Sequence, residues 1–241
     1  MEGPSLIILK EELQPFVGKK IQQASGLSKI DYSKVTGSRI REFRSWGKHF
    51  LIVLDEVTLR IHFLMFGSYR INERKETPAR LSLVFNNGEI NFYGCSVNFI
   101  EGDLDELYDW PADVMSDVWD PEAARLKLIN HPNMMVCDAL LNQDIFAGSG
   151  NIIKNEVLYR IRVHPETLIE NLPEDKLEEL IVETRNYSFD FLRWKKQFEL
   201  KKNWLAHTRR KCLRCDLPFS KMHLGKTNRR SFFCNNCQVK Y

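Results

Sequence analysis

Two Cys-x-x-Cys pairs, Cys212 with Cys215 and Cys234 with Cys237, constrain this chain more than any other feature. The stretch 216–233 between them carries the turn formers Pro218, Gly225 and Asn228, which suit a β-hairpin-like tail that brings the pairs together. Two such knuckles set four thiolates at the corners of a tetrahedron, the coordination that a structural Zn²⁺ takes. Bystander thiols or disulfides are the competing reading, and paired spacing without an export signal favours the metal. Cys95 and Cys137, the other two of the six cysteines, stand singly in apolar surroundings and read as small core residues.

With 241 residues, 43% of them apolar, the chain can bury a sizeable core in one large or two modest domains. The first residues lack a basic segment followed by an apolar run and a cleavage site, and no stretch approaches about 18 uncharged apolar residues. The expectation is a soluble, monomeric, intracellular protein without membrane association, either cytoplasmic and nucleoid-associated or nuclear. A net charge of +3 is too mild to imply nucleic acid. Its distribution is uneven, with acidic residues crowding 101–122 and basic residues dense from Arg193 to Tyr241.

Periodicity gives an α+β multidomain chain. A short amphipathic helix is expected from Leu6 to near Gly18, followed by strand-like runs such as HFLIVLDEVTLRIHFLMFGSYRI and ARLSLVFNNGEINFYG, the second with a hairpin turn at Asn87-Gly88. Acidic residues and Pro111 between Asp103 and Asp120 read as a linker or loop. Helical spacing then runs through PEAARLKLI, MMVCDALLNQ, NIIKNEVLYRI and PEDKLEELIVETRNYSFDFLRWKKQ. The expected divisions are a β-rich domain over 1–110, a helical domain over 120–205 and the four-cysteine module over 206–241.

Three local features bear chemistry. In NQDIFAGSGNIIKNEVL a helix ends near Asp144 and another begins at Asn151; Gly148 and Gly150 permit positive φ and close backbone approach, and the new helix offers N–H groups that suit a phosphate. By itself such a turn is more often only a turn. In RSWGKHFLIVL, Lys48 follows a glycine and precedes an alternating strand, where it is either solvated or turned into a cleft. In HFLMFG, Leu64, Met65 and Phe66 are consecutive large apolar residues before Gly67. Core burial is the default for them, and an exposed wedge that enters a base stack is the sharper alternative.

These residues carry a resemblance. The opening EGP with its amphipathic helix, the GKHFL block, the NQDIFAGSGNIIKNEVLYRIRVHP block and the final RRSFFCNNCQ occur in the order found in the formamidopyrimidine-DNA glycosylase/endonuclease VIII family, over nearly the full chain. HFLMFG and FYGCS are closer to the endonuclease VIII branch. The resemblance implies an N-terminal β-sandwich with a helix bearing the terminus, a helix-two-turn-helix domain and a zinc finger, with double-stranded DNA in the cleft between the domains. It also implies roles. Glu2 matches the carboxylate that handles protons during base release, and Lys48 a lysine that contacts the backbone near the lesion. Asn151 with the Gly150 backbone matches a phosphate contact, and Arg229 the finger arginine that straddles the phosphates. Leu64, Met65 and Phe66 correspond to residues that fill the gap left by a flipped base.

The terminus departs from the family pattern, which reads Met-Pro-Glu-Gly-Pro and uses the exposed proline amine. Here Met1 precedes Glu2 directly, and Ser5 stands where the family usually has a glutamate. A primary α-amine has a pKa of about 8 and forms Schiff bases readily, so Met1 is the expected nucleophile. The formamidopyrimidine branch usually inserts an arginine opposite the lesion, where YGCSVNF offers Val97 and Asn98. The expected function is a DNA repair glycosylase with AP lyase activity on damaged bases or abasic sites. Two alternatives stand beside it: a catalytically impaired relative that binds damaged or abasic DNA, and a zinc-stabilised nucleic-acid-binding module with no lesion role.

Overall fold

A computed structural model describes residues 1–241 and groups them into two units, one of Met1 and Ser5–Tyr108, the other of Glu2–Pro4 and Asp109–Tyr241. Helix α1 spans Gly3–Glu12, starting three residues before the apolar spacing begins and ending well short of Gly18. Pro4 lies in the first turn, where its missing N–H costs nothing, so the helix starts without an apolar signal. Leu6, Leu9 and Leu13 are fully buried and belong to the core of the first unit. Each fully buried leucine contributes roughly 1.5–3 kcal/mol relative to exposure.

That core is lined by an antiparallel sheet of β1 (Gln23–Ser25), β2 (Glu42–Trp46), β3 (His49–Val53), β4 (Thr58–Ile71), β5 (Leu81–Phe85) and β6 (Gly88–Ile100), in the order β1-β5-β6-β4-β3-β2. The long β4 and β6 each serve two halves, so the sheet folds on itself as a sandwich. Phe43, Phe50 and Ile52 of one half share a core with Leu81, Leu83 and Phe85 of the other. The hairpin expected at Asn87-Gly88 is present one residue earlier: Phe85 pairs with Gly88, leaving Asn86 and Asn87 in the turn. Gly88 has φ +148, and a Cβ there would strike the Asn72 side chain, which accepts from the Glu89 amide at 2.9 Å. The stretch expected as a loop also contains helix α2 (Leu104–Leu107), started by Asp103 accepting from Asp105 N.

In the second unit, α3 (Pro121–Ile129) is capped by Asp120, which accepts the amides of Glu122 and Ala123. Helix α4 covers only Val136–Ala139, less than its sequence pattern, because the next amides tighten onto i−3 carbonyls: Leu141 donates to Asp138 and Asn142 to Ala139. Helix α5 (Asn151–Arg160) and the long α6 (Glu174–Lys196) follow the expected periodicity. Along α6, Leu177, Leu180, Ile181, Thr184, Tyr187, Ser188 and Phe191 form the buried stripe. Glu174 and Asp175 at its start and Arg193, Lys195 and Lys196 at its end complement the helix dipole. The tail forms the hairpin β7 (Ser220–Leu224) and β8 (Arg229–Phe233). No helix is long and apolar enough to cross a membrane.

Candidate active site and nucleic-acid interface

In the first unit, Lys48 stands at the tip of the β2–β3 hairpin. Trp46 pairs with His49, leaving Gly47 and Lys48 as a two-residue turn, and the φ of +55 at Gly47 is why glycine precedes the lysine. His62 Nδ1 lies 3.2 Å from the Lys48 carbonyl oxygen, which can only accept, so the ring proton sits on Nδ1. Burial holds the His62 imidazole below its usual range, and the positive charges of the terminal amine and of Lys48 push the same way. Met1, whose side chain packs against the sandwich core, and Lys48 thus converge electrostatically on one histidine. His62 stands inside β4 among apolar residues, a setting that in the sequence gives no more than a core signal. Its neighbour His49 is lowered further, to about 4, by burial, with Arg60 and His62 adding to the effect.

Leu64, Met65 and Phe66 are 56%, 77% and 88% exposed, so the default of core burial fails. The register explains it. Phe63 pairs with Cys95 and Ser68 with Tyr93, so 64–67 oppose the single residue Gly94 and are extruded from the ladder. A Cβ on Gly67 would lie 2.8 Å from both the Gly94 carbonyl oxygen and Phe63 Cβ, and Gly94 adopts φ +57. Two glycines at the base of the bulge therefore let it close beneath three apolar side chains. Val97 is buried in the core and Asn98 pairs with Arg60 in the ladder, so β6 inserts no arginine there.

In the second unit, the glycine turn and Glu2 come together. The Glu2 carboxylate accepts the amides of Ile152 at 2.8 Å and Ile153 at 3.3 Å, in the first turn of α5. The expectation of open N–H groups there is corrected: two of them already hold a carboxylate, the group a helix N-terminus favours. Gly148 has the anticipated positive φ of +95, whereas Gly150 has φ −134. Gly150 is required instead by proximity, since a Cβ there would come within 2.7 Å of Glu2 Oε1 and closer still to its carbons. Gly3 N donates to the Gly148 carbonyl at 2.9 Å, tying the start of the chain to the turn. Asn151 opens α5 with a buried Oδ1 that no group of the chain engages.

Gln143 braces this turn and was missed in the sequence. Its Nε2 donates to the carbonyls of Leu141 and Ser149, and its Oε1 accepts from Gly148 N at 3.1 Å. Only a glutamine five residues before the first glycine hints at it.

The four sulfurs of Cys212, Cys215, Cys234 and Cys237 lie within 4.8 Å of one another, close to the edge of about 3.8 Å that tetrahedral bonds of about 2.3 Å require. The donor set therefore fits a zinc ion. Tyr159 of α5 places its hydroxyl 3.4 Å from Cys212 Sγ, and the Arg214 amide donates to the same sulfur. Fully buried Glu156 receives the amides of Leu205, Ala206 and His207 at 2.8–3.0 Å, fixing the start of the module on α5. Arg229 opens β8 with an exposed side chain that joins none of the ion pairs. Cys95 and Cys137 are buried, and burial raises their thiols to about 11 and about 12, as inert core residues require.

Residues 2–95 match the formamidopyrimidine-DNA glycosylase N-terminal domain, and residues 116–187 match the formamidopyrimidine-DNA glycosylase H2TH domain. Among curated proteins, the chain is 30% identical to endonuclease 8-like 3 of Xenopus laevis over 89% of its own length and 37% of that protein. It is 32% identical to endonuclease 8 2 of Mycobacterium tuberculosis over 54% of this chain and 55% of the relative. The chain thus spans about a third of the length of the endonuclease 8-like 3 proteins it matches. Among solved structures, a formamidopyrimidine-DNA glycosylase of Lactococcus lactis bound to AP-site-containing DNA superposes with a TM-score of 0.88 at 21% identity, covering all of both chains. A viral DNA glycosylase superposes with a TM-score of 0.84 at 19% identity, over 99% of this chain and 100% of the other. These likenesses give the fold: β-sandwich, helix-two-turn-helix domain and C-terminal cysteine cluster.

Proposed function

The chain belongs to the formamidopyrimidine-DNA glycosylase/endonuclease VIII family, and on that premise we propose that it is a DNA repair glycosylase with AP lyase activity. Its substrate is double-stranded DNA holding a damaged base or an abasic site. The observation that carries this reading is the seat of Glu2: a carboxylate clamped on the first-turn amides of α5, one peptide bond from a terminal amine.

In this reading the neutral Met1 amine attacks C1′ of the nucleotide, the bond from C1′ to the base breaks, and the base leaves with a proton. Loss of the sugar ring oxygen from C1′ gives an imine to Met1. Removal of a C2′ proton then expels the 3′ phosphate and cuts the strand. Glu2 supplies and collects the protons, because its position is fixed by the helix rather than by solvent. Lys48 holds a backbone phosphate beside the reacting sugar. The extruded Leu64, Met65 and Phe66 fill the space a flipped base leaves, offsetting an unstacking cost of a few kcal/mol. Gly150, Asn151 and exposed Arg229 grip phosphates, and Zn²⁺ on the four cysteines supplies folding energy to the hairpin that carries Arg229.

Incubation with a duplex bearing one abasic site tests the reading. Strand cleavage at that site is expected. Tight binding without cleavage would favour a relative that recognises and shields the lesion, and indifference to the lesion would favour a general nucleic-acid module.

A further inference from the structure

Arg229 has no side-chain partner that would hold it, yet the backbone on both sides of it is fixed by buried polar groups from α4 and α5. On the turn side, the Asp138 carboxylate, only 9% exposed, accepts Lys226 N at 2.9 Å, Thr227 N at 3.2 Å and Thr227 Oγ1 at 3.1 Å. Gly225 packs so closely on this carboxylate that a Cβ there would lie 2.5 Å from Asp138 Oδ2. On the strand side, Lys154, 1% exposed, donates from Nζ to Ser231 Oγ at 2.8 Å and to the Arg230 carbonyl at 3.2 Å. Asn155 Oδ1 adds a bond from Phe232 N at 3.0 Å.

A buried carboxylate and a buried ammonium are expensive unless their hydrogen bonds are satisfied, and here both are committed to backbone or side-chain groups within four residues of Arg229. Burial draws the Lys154 ammonium down to about 8, and the Arg229 charge pulls the same way, which places the guanidinium within electrostatic reach of this brace.

We propose that Asp138 and Lys154 are positioning residues for Arg229, holding the β7–β8 turn and the first residues of β8 so that the guanidinium is presented to a DNA phosphate in one orientation. The inference rests on the phosphate contact proposed above for Arg229. It also assigns the turn tip 225–228 a recognition task through residues that themselves touch no DNA.

A double-mutant cycle on the zinc-loaded full chain tests it, with binding to an abasic-site duplex measured across a salt series. Arg229→Ala is expected to weaken binding about tenfold and lower the salt slope by about 1. Asp138→Ala is expected to weaken binding several-fold and lower the slope in the same sense, with four thiols still protected by one zinc. In the Arg229→Ala background, Asp138→Ala then adds nothing. Thr227→Ala, an exposed position that removes only one hydroxyl bond, is expected to give a smaller loss that also vanishes in that background, and it serves if Asp138→Ala does not fold. Asp138→Asn keeps an acceptor and restores part of the affinity. Losses from Asp138 and Thr227 that persist in full without Arg229 would overturn the positioning role while leaving the phosphate contact intact. Wild-type binding by Arg229→Ala would overturn both.

Discussion

Glu2 and Ile152 lie 150 residues apart in the chain, and the carboxylate of the first accepts the amide of the second at 2.8 Å. The contact joins the residue after Met1 to the helix that follows the glycine turn, and it leaves no room for a side chain at Gly150.

Gly150→Ala isolates that point. Its φ of −134 suits alanine, so the backbone is unstrained, but the new methyl collides with the Glu2 side chain. The variant is expected to displace the carboxylate and lose base release, and because Gly150 also belongs to the phosphate grip it should weaken abasic-duplex binding as well, which Glu2→Gln should not. Glu2→Gln keeps the bulk and one acceptor, so it should lose base release with intact binding and about 1 kcal/mol of stability at most. Single-turnover excision and thermal unfolding of both variants check this; unchanged excision in either removes Glu2 from proton handling.

Phe66→Ala separates wedge from core. At 88% exposure the ring contributes little to folding, so stability should change by no more than about 0.5 kcal/mol. Excision from duplex DNA should fall about tenfold, with single-stranded substrate unaffected because no stack has to be filled. Equal losses on both substrates contradict the wedge.

How far these features were legible in the sequence follows from the range of the interactions that set them. Helices α5 and α6 were readable because local apolar spacing places each buried side chain, and the cysteine pairs because metal geometry fixes their spacing. The exposure of Leu64, Met65 and Phe66 depends on a register shift against Gly94 in another strand, which the local pattern does not encode. Helix α1 begins at Gly3, ahead of the apolar spacing, because its first turn is buried and tied by the Gly3 amide to the carbonyl of Gly148, a partner far along the chain. Asp138, Gln143 and Glu156 look like ordinary polar residues until the backbone amides they receive are known.

Removing the metal tests the tail. Chelation or Cys215→Ser should unfold the β7–β8 hairpin and abolish DNA binding, since a structural zinc site contributes folding free energy directly. Metal analysis should find one zinc per chain, and DNA affinity that survives complete removal would contradict the role given to the finger.

Acid titration tests the half-buried imidazole of His49 in the first unit. His49 sits at about 4 against an ordinary 6.5, so the unfolded chain takes up its proton first as pH falls. The stability linked to this group is therefore complete above about pH 6.5 and declines toward pH 4, by up to about 1.4 kcal/mol per pH unit. Thermal unfolding of His49→Gln should show a shallower decline than wild type over that window, and parallel curves would contradict the assignment.

The most direct measurement is borohydride trapping on a duplex with a single abasic site, using protein whose intact mass establishes Met1 as its first residue, followed by peptide mapping of the adduct. The account predicts one covalent product, borne on the α-amine of the Met1 peptide. A chain that binds the duplex but gives no adduct, or one whose adduct maps to a lysine side chain instead, contradicts it.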